Sequence, residues 1–340
     1  MRLELNVEQQ EIAAVAAKFL ASELPLARVR ELGADNSTVL AVDEGLWSQC
    51  AQMGWFSLGV SDASGGIGYG PIEEYALFRE LGRHLAPGPY ASTVIAGWVA
   101  VANGDDELTA ALFQGDRRAG LASGGFTVDA EPGGLVVEFA SGLCRVHEVR
   151  ALQAVPSVDP SVRLARTELG AVVAESNDPL LLARAQVLVA GLEIGVAEAV
   201  RDMSVEYAKV RHQFGKPIGT FQAVKHRCSD MAIRVHAGQA QTLFAAMHVA
   251  RRAPESAFHA ASAKLVTTTA AKLNCADNVQ NHGAIGFTVE HDAGLFARRA
   301  HMHEFALDGK VLAGPIALAP QRHDFHALPD APSDWFTAID

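Results

Sequence analysis

The chain has 340 residues, of which 49% are hydrophobic and 20% charged, so it can bury substantial cores and is too apolar to be disordered. Its formal charge of −11 and its aromatic content of 7% argue against a nucleic-acid partner, which needs basic surface or stacking rings. No apolar run approaches the ~20 residues of a membrane span, and no signal core follows the acidic start, so we expect a cytoplasmic protein.

The first third of the chain has the pattern of helices joined by loops. Apolar residues at helical spacing predict a first helix, capped by Asn6, with one face that carries Ile12, Val15, Phe19 and Leu20. A second helix over residues 43–53 would turn inward Leu46, Trp47, Cys50 and Met53.

A glycine-rich segment, SDASGGIGYG at 61–70, follows and leads into a predicted helix over 72–84. Such a loop can cradle a dinucleotide only when a hydrophobic strand precedes it. The preceding residues have a helical pattern instead, so the sequence disfavours a Rossmann-type site here.

The middle and last regions differ in character. Short alternating stretches at 134–139, 150–155 and 171–174 predict a small β-region with room for five or six strands. Four long amphipathic stretches follow, at 180–211, 221–252, 255–282 and 288–307, and their short connections predict a four-helix bundle.

We therefore predict a mostly α fold with a small β insert. The predicted divisions are an N-terminal helical domain (1–116), a reduced middle β-domain (117–177), a C-terminal four-helix bundle (178–322) and a tail (323–340).

One block of the last region is unusually basic. Residues 207–226 read YAKVRHQFGKPIGTFQAVKH, and no acid separates the five cations Lys209, Arg211, Lys216, Lys225 and Arg227. Charge runs usually lie on solvated helix faces, but the Phe-Gly-Lys-Pro-Ile turn inside this one favours cofactor contact. In a chain with a charge of −11, this basic patch is where a polyanion would bind.

The block resembles the signature of the acyl-CoA dehydrogenase family, in which a long helix ends in R-x-x-F-G-x-P-I and the next begins near F-Q. Three more segments match that family in order: GGIG at 65–68 with FRELGR at 78–83, VQNHGAIGF at 279–287, and VEHD at 289–292 with RRA at 298–300. The resemblance implies an N-terminal helical domain, a middle β-domain and a C-terminal four-helix bundle, usually in a tetramer that binds FAD.

The resemblance also implies roles for particular residues. It assigns Arg211 to the FAD pyrophosphate of a neighbouring subunit, which suits a guanidinium because it binds a diphosphate bidentately. It assigns Gln213 and Phe214 to the dinucleotide lining. It assigns Gln280 and Gly283 to the opposing loop, where a missing side chain lets backbone N–H groups approach phosphate.

The catalytic base of the family has no counterpart at its usual positions. In this family a carboxylate abstracts the α-proton of an acyl-CoA thioester while a hydride passes to the flavin. The two positions that hold this carboxylate carry Ala185 and Leu307 here. Asp308 and Glu193 are the remaining candidates, although a surface pairing of Glu193 with Arg201 is the simpler interpretation.

The middle region departs from the family too. The stretches T-E-P…G-S-D and W-I-T-N, which hold the flavin ring and thioester, have no match, and residues 123–127 keep a remnant at best. This combination resembles the short subunits of heteromeric acyl-CoA dehydrogenases in bacterial steroid side-chain degradation. The resemblance implies FAD, an acyl-CoA substrate, a Glu-bearing second acyl-CoA dehydrogenase subunit in a heterotetramer, and electron-transfer flavoprotein as acceptor.

Two alternative functions stay open. The chain could be a non-catalytic scaffold subunit that completes a partner's FAD site, or a flavin monooxygenase of the same fold that has lost the base. The reduced β-region counts against the monooxygenase, which needs its own flavin pocket.

The sequence predicts no metal site. The four cysteines form no CxxC pair, and such spacing fits a reducing compartment without zinc or disulfides. His301 and His303 are two residues apart on a predicted helix, so they point to different faces. His323 and His326 lie in the irregular tail.

Overall fold

The computed structural model describes residues 3–35 and 40–307. Its first helices are α1 Val7–Glu23, α2 Leu26–Ala34, α3 Glu44–Gln52, α4 Pro71–Arg83, α5 Tyr90–Asn103 and α6 Asp106–Phe113. The predicted helical start of the chain is therefore confirmed, and residues 61–70 form a loop between α3 and α4.

Side-chain caps fix where two of these helices begin. The Asn6 side chain accepts a hydrogen bond from the Gln9 backbone at 2.9 Å, and the Gln9 side chain accepts one from the Asn6 backbone at 2.9 Å. Asp43 caps α3 by accepting a hydrogen bond from the Leu46 backbone N–H at 3.1 Å.

The predicted apolar face of α1 is wrong at Val15, which is 60% exposed. Leu20 is buried as predicted, and the rest of the buried stripe passes through Ala13 and Ala16. Gln9, on the same stripe, donates a hydrogen bond to Glu73 of α4 at 2.7 Å. The helix packs through small side chains. The spacing of apolar residues alone does not predict that these alanines are buried and that Val15 is exposed.

The middle region is a closed five-stranded barrel. Its strands are β1 Ala119–Ser123, β2 Phe126–Val128, β3 Leu135–Ala140, β4 Leu143–Val155 and β5 Leu164–Ser176, in the spatial order β1-β2-β5-β4-β3. The β1–β3 pair is parallel and the other pairs are antiparallel. Val136 forms a small separate cluster with Ala130 and Val149, whereas Leu135 and Val137 belong to the main core shared with the helices. The predicted small β-region is confirmed, with strands longer than the alternating stretches suggested.

The last region contains four long helices, as predicted. They are α7 Leu181–Val210, α8 Gln222–Ala250, α9 Ser256–His282 and α10 Ala293–Phe305. A hairpin of β6 His212–Gln213 and β7 Lys216–Pro217, with the 3₁₀ turn Ile218–Thr220, joins α7 to α8. A 3₁₀ turn, Gly283–Phe287, follows α9.

The start of α10 lies five residues beyond the predicted Thr288. At this start the Nδ1 of His291 accepts a hydrogen bond from the Ala293 backbone N–H at 3.1 Å.

The N-terminal helices pack directly against the bundle along α4 and α7. A Cβ added at Gly82 would lie 2.0 Å from the Leu192 carbonyl oxygen, and one at Gly195 would lie 2.0 Å from the Arg79 carbonyl oxygen. These two glycines therefore let the helix backbones touch, and no larger residue fits without moving them.

Arg299 of α10 ties three regions together. Its Nε donates to Asp159 Oδ2 at 2.7 Å, one Nη donates to Ser161 Oγ at 2.7 Å, and the other donates to the Ala86 carbonyl at 3.2 Å. Asp159 and Ser161 belong to the segment between β4 and β5, and Ala86 lies between α4 and α5. The buried guanidinium thus joins the barrel, the N-terminal helices and the bundle.

Among the described residues, no helix combines the length and apolar content that crossing a membrane requires.

Candidate functional site

The hairpin after α7 carries three of the predicted cofactor residues. The Arg211 backbone joins the hairpin to the helix, since its N–H donates to Tyr207 O at 2.9 Å and its carbonyl accepts from Ile218 N at 2.8 Å. Phe214 stands at the tip with a φ of +54° and is 91% exposed. The side chains of Arg211 and Gln213 are exposed beside it.

The end of α9 and the turn after it carry the other two predicted cofactor residues, Gln280 and Gly283. Gln280 is exposed near the end of the helix. Gly283 has φ 65° and ψ −141°, a conformation that glycine adopts readily and L-residues rarely do. A Cβ at Gly283 would meet no atom within 4 Å, and its own N–H donates to the carbonyls of Val279 and Gln280 at the end of α9.

Hydrogen bonds bring these two segments to the same end of the bundle. Arg227 of α8 donates to Asn281 Oδ1 at 2.6 Å, and Asn281 Nδ2 donates to Ser204 Oγ of α7 at 2.6 Å. The Tyr207 ring stacks on the His282 ring at 4.2 Å. The ends of α7 and α9 and the start of α8 therefore converge here.

The basic patch is smaller than the sequence suggests. Lys209 forms an ion pair with Glu206 at 2.6 Å, and Arg227 lies 3.5 Å from Asp277. Lys216 lies over the Phe221 ring at 4.6 Å. Within residues 3–35 and 40–307, the Arg211 guanidinium has no hydrogen-bond or ion-pair partner, and the Lys225 ammonium has none either.

This donor set fits the diphosphate of a dinucleotide. An exposed, unpaired guanidinium can bind two phosphate oxygens at once, and nearby ammonium groups add positive potential. The empty space where Gly283 lacks a side chain suits close approach of the same ligand. The structure thus holds groups that could bind the ADP portion of FAD, although it gives no contact between Arg211 and Gln280.

The two positions that the resemblance assigns to the family base differ in their surroundings. Leu307 lines a cavity of about 630 Å³ between the barrel and the start of α7. Ala185 is fully buried in α7 and does not line this cavity. Asp308 lies outside the described residues.

Glu193 is neither a surface acid nor a residue of this cavity. It is fully buried, and Lys264 donates to its Oε1 at 2.6 Å. Thr267 and Thr268 donate to its two oxygens at 2.7 and 2.8 Å. The expected partner, Arg201, binds Asp202 at 2.7 Å instead. Burial raises the pKa of Glu193, and the lysine and the two threonines oppose that rise.

The cavity wall also contains a carboxylate that the sequence did not indicate. Glu138 of β3 lines the cavity, and its Oε2 lies 3.2 Å from His147 Nε2 on β4. The only sequence signal of Glu138 is its place in the alternating pattern of a short strand. That pattern does not tell whether the side chain faces the mouth of the barrel or solvent. Asp178 also lines the cavity but is bound by Arg252 at 2.9 and 3.0 Å.

The described residues contain no group of three or more His, Cys, Asp or Glu side chains arranged to hold a metal ion. His301 is largely exposed, whereas His303 is half-buried with its Nδ1 enclosed, so the two rings lie in different environments. His323 and His326 lie outside the described residues.

Two family models match most of the chain. Residues 6–115 match the acyl-CoA dehydrogenase N-terminal domain, and residues 179–309 match the acyl-CoA dehydrogenase C-terminal domain. The acyl-CoA dehydrogenase IpdE2 of Mycobacterium tuberculosis is 33% identical over 298 residues, which cover 86% of this chain and 91% of that protein.

Solved structures share the fold. The ChsE4–ChsE5 complex of Mycobacterium tuberculosis contains a chain with a TM-score of 0.80 and 22% identity, covering 93% of this chain and 98% of that one. The FAD complex of PigA matches with a TM-score of 0.76 and 17% identity, covering 93% of this chain and 98% of that one.

Proposed function

This chain belongs to the acyl-CoA dehydrogenase family, and we propose that it is the subunit of a heteromeric enzyme that lacks the catalytic glutamate and completes the FAD site of a partner chain. FAD is the cofactor that membership of this family indicates. The observation that carries the proposal is Leu307, an apolar side chain at a family base position that faces a cavity large enough for a ligand.

The missing base removes the first step of the reaction. Abstraction of the α-proton of a thioester needs a carboxylate held against that carbon. Leu307 cannot take a proton, Ala185 faces no part of the cavity, and Glu193 is held by Lys264 and two threonines away from it. General-base catalysis is worth roughly 10²–10⁴-fold in rate, so turnover in this proposal uses a carboxylate from another chain.

The predicted dinucleotide residues, in contrast, would still bind the cofactor. Arg211 would bind the FAD diphosphate of the partner, with Gln213 and Phe214 along the dinucleotide and Gln280 and Gly283 on the facing turn. The unpaired guanidinium and the 91% exposure of Phe214 support this assignment, because both groups are free to meet another chain. The FAD supplies the hydride acceptor once bound; this chain binds and orients it.

The proposed substrate is a CoA thioester with a steroid-derived acyl group, and the proposed electron acceptor is electron-transfer flavoprotein. Both follow from the resemblance to short subunits of heteromeric enzymes. The similar fold of a chain in the ChsE4–ChsE5 complex is consistent with a partner subunit.

The Glu138–His147 pair favours a second candidate, in which this chain carries a complete active site. Glu138 is a carboxylate in the cavity wall, where a base could act on a bound ligand. The missing flavin-ring stretches of the barrel region count against this candidate.

Anaerobic flavin bleaching separates the two candidates. The chain is purified alone and co-expressed with a Glu-bearing acyl-CoA dehydrogenase, supplied with FAD, and mixed with a steroid side-chain acyl-CoA. We expect bleaching of the flavin absorbance only in the mixed complex, and its loss when the glutamate of the partner is replaced. Bleaching by the isolated chain that disappears in Glu138→Gln would instead establish the second candidate.

A further inference from the structure

Three rings form a column at the end of the bundle that carries the proposed dinucleotide residues. The Tyr207 and His282 rings lie 4.2 Å apart with an interplanar angle of 29°, and the His282 and His291 rings lie 4.3 Å apart at 48°. His282 is the central ring and is buried, with 5% of its surface exposed.

Each ring belongs to a different segment of the site. Tyr207 is in the last turn of α7, four residues before Arg211, and its carbonyl accepts the Arg211 backbone N–H. His282 ends α9 immediately before Gly283. His291 caps α10 after the turn, through the hydrogen bond from Ala293. The column is therefore a direct side-chain connection between the hairpin and the glycine turn.

The orientation of the central ring is set locally. His282 Nδ1 lies 2.8 Å from the Asn278 carbonyl oxygen one turn earlier, so Nδ1 carries the proton and donates to it. This bond and the two flanking rings leave the imidazole little freedom to rotate. Because the ring is flat and rigid, it fixes the distance between the end of α7 and the start of the Gly283 turn.

We propose that His282 is a positioning residue that sets the distance between the Arg211 hairpin and the Gly283 turn, and so pre-forms the two sides of the dinucleotide site; this rests on the proposed function. His282 does not touch the ligand in this proposal. It acts through the segments on either side, which pre-organises binding and lowers its entropic cost.

The column also makes the site sensitive to acid. Burial, together with the His291 ring, lowers the pKa of His282. The charged groups on the elements next to the column form ion pairs of their own. Arg227 on α8 lies 3.5 Å from Asp277 on α9, and Arg30 on α2 binds Asp292 before α10 at 2.5 Å. Glu290 also precedes α10. Protonation of the central ring would place a positive charge between two stacked rings in a confined site. Acidification below the usual histidine range should therefore loosen the two segments.

A matched pair of substitutions tests the proposal. His282→Phe keeps a flat ring of similar width, whereas His282→Leu keeps apolar bulk without a ring. Retention of FAD is measured in the mixed complex by dilution and gel filtration at pH 7 and pH 5, with thermal unfolding as the control for folding. Aromatic pairs contribute modestly, so we expect about threefold to tenfold weaker FAD retention in His282→Leu and near-complete rescue in His282→Phe. The decline of FAD retention between pH 7 and pH 5 should be flatter in the Phe variant.

A second readout does not depend on cofactor. Spin labels on Lys216→Cys and Ile285→Cys, in a Cys228→Ser background, report the hairpin-to-turn distance in the purified full chain. We expect a narrow distance distribution in wild type and His282→Phe and a broad one in His282→Leu. An unchanged distribution in His282→Leu, or a Phe variant no better than Leu, would overturn the proposal. If the distances respond as expected but neither the His282 variants nor Arg211→Ala alter FAD retention, the dinucleotide site is wrong and the positioning of the two segments stands.

Discussion

The guanidinium of Arg211 is the residue on which the proposed dinucleotide site most depends. Arg211→Ala should weaken FAD retention of the assembled complex by about tenfold to a hundredfold, because a hydrogen bond to a charged group contributes about 1.5–3 kcal/mol. Flavin absorbance after gel filtration and dilution measures this.

Arg150→Ala is the matched control for Arg211. Arg150 is also exposed, at 72% of its side chain, but it lies on the barrel and pairs with Glu168. We expect Arg150→Ala to keep FAD, and both variants to keep the wild-type unfolding temperature. Full flavin occupancy in Arg211→Ala would remove Arg211 from the site.

The two base positions should respond differently to a new carboxylate. Ala185→Glu forces a carboxyl group into a fully buried position without a cavity, so it should lower the free energy of unfolding by about 3 kcal/mol or more. Leu307→Glu places the carboxylate at a cavity and should cost less. Urea unfolding compares them.

Neither variant should create acyl-CoA bleaching activity in the isolated chain, since the flavin-ring stretches are also missing. Activity of Leu307→Glu alone would show that the barrel region still supports a flavin. Equal stability of Ala185→Glu and Leu307→Glu would contradict the conclusion that only Leu307 borders a cavity.

At the scale of secondary-structure elements, the α4–α7 seam depends on the absence of side chains. Gly195→Ala should destabilise the chain by about 1–3 kcal/mol, because its Cβ would lie 2.0 Å from the Arg79 carbonyl and the helices must separate. Gly294→Ala in α10 is the control, since its nearest neighbour would be the flexible end of Arg298 at 3.5 Å. That change should be neutral or slightly stabilising because alanine favours a helix. Chemical denaturation checks both, and equal effects would contradict the close packing.

The half-buried ring of His303 in α10, with its Nδ1 enclosed, predicts a pH dependence of stability. Burial, with Arg299 and Lys264 nearby, lowers the pKa of His303 from 6.5 to about 3. The unfolded chain therefore binds a proton below pH 6.5 that the folded chain does not, so stability is complete above pH 6.5 and falls toward pH 3. As the pH falls below 6.5, this ring should lower the free energy of unfolding by up to about 1.4 kcal/mol per pH unit.

Denaturation between pH 7 and pH 5 measures this slope. His303→Leu should flatten it, whereas His236→Leu, which removes an exposed histidine of α8, should leave it unchanged. The same slope in His303→Leu and in wild type would show that other groups cause the decline.

At the scale of the whole molecule, the exposed Phe214 and the shared dinucleotide site predict an obligate oligomer. We expect a heterotetramer with a Glu-bearing acyl-CoA dehydrogenase in preference to a homo-oligomer. Sedimentation velocity of the chain alone and with such a partner tests this. A stable monodisperse monomer at micromolar concentration that binds no partner would contradict the prediction.

The sequence by itself determined the order of the regions and located the first helix and the long helices of the last region, although α10 begins later than predicted. Helical spacing, the Asn6 cap and short loops are local properties, so they predict α1 and the four long helices. The domain boundaries at 116, 177 and 322 stay predictions. The motif around Arg211 is local as well, and the structure places it on an exposed hairpin.

Only the tertiary structure decided which chemical groups face one another. Glu193 meets Lys264, which is 71 positions away in sequence, and Glu138 meets the cavity because the barrel closes. The Tyr207–His282–His291 column joins three separate segments, and Leu307 rather than Ala185 borders the cavity. Spacing along the chain reports which side of one helix or strand a residue occupies. What lies opposite that side depends on how the elements pack, since contacts between distant segments leave no periodic signal.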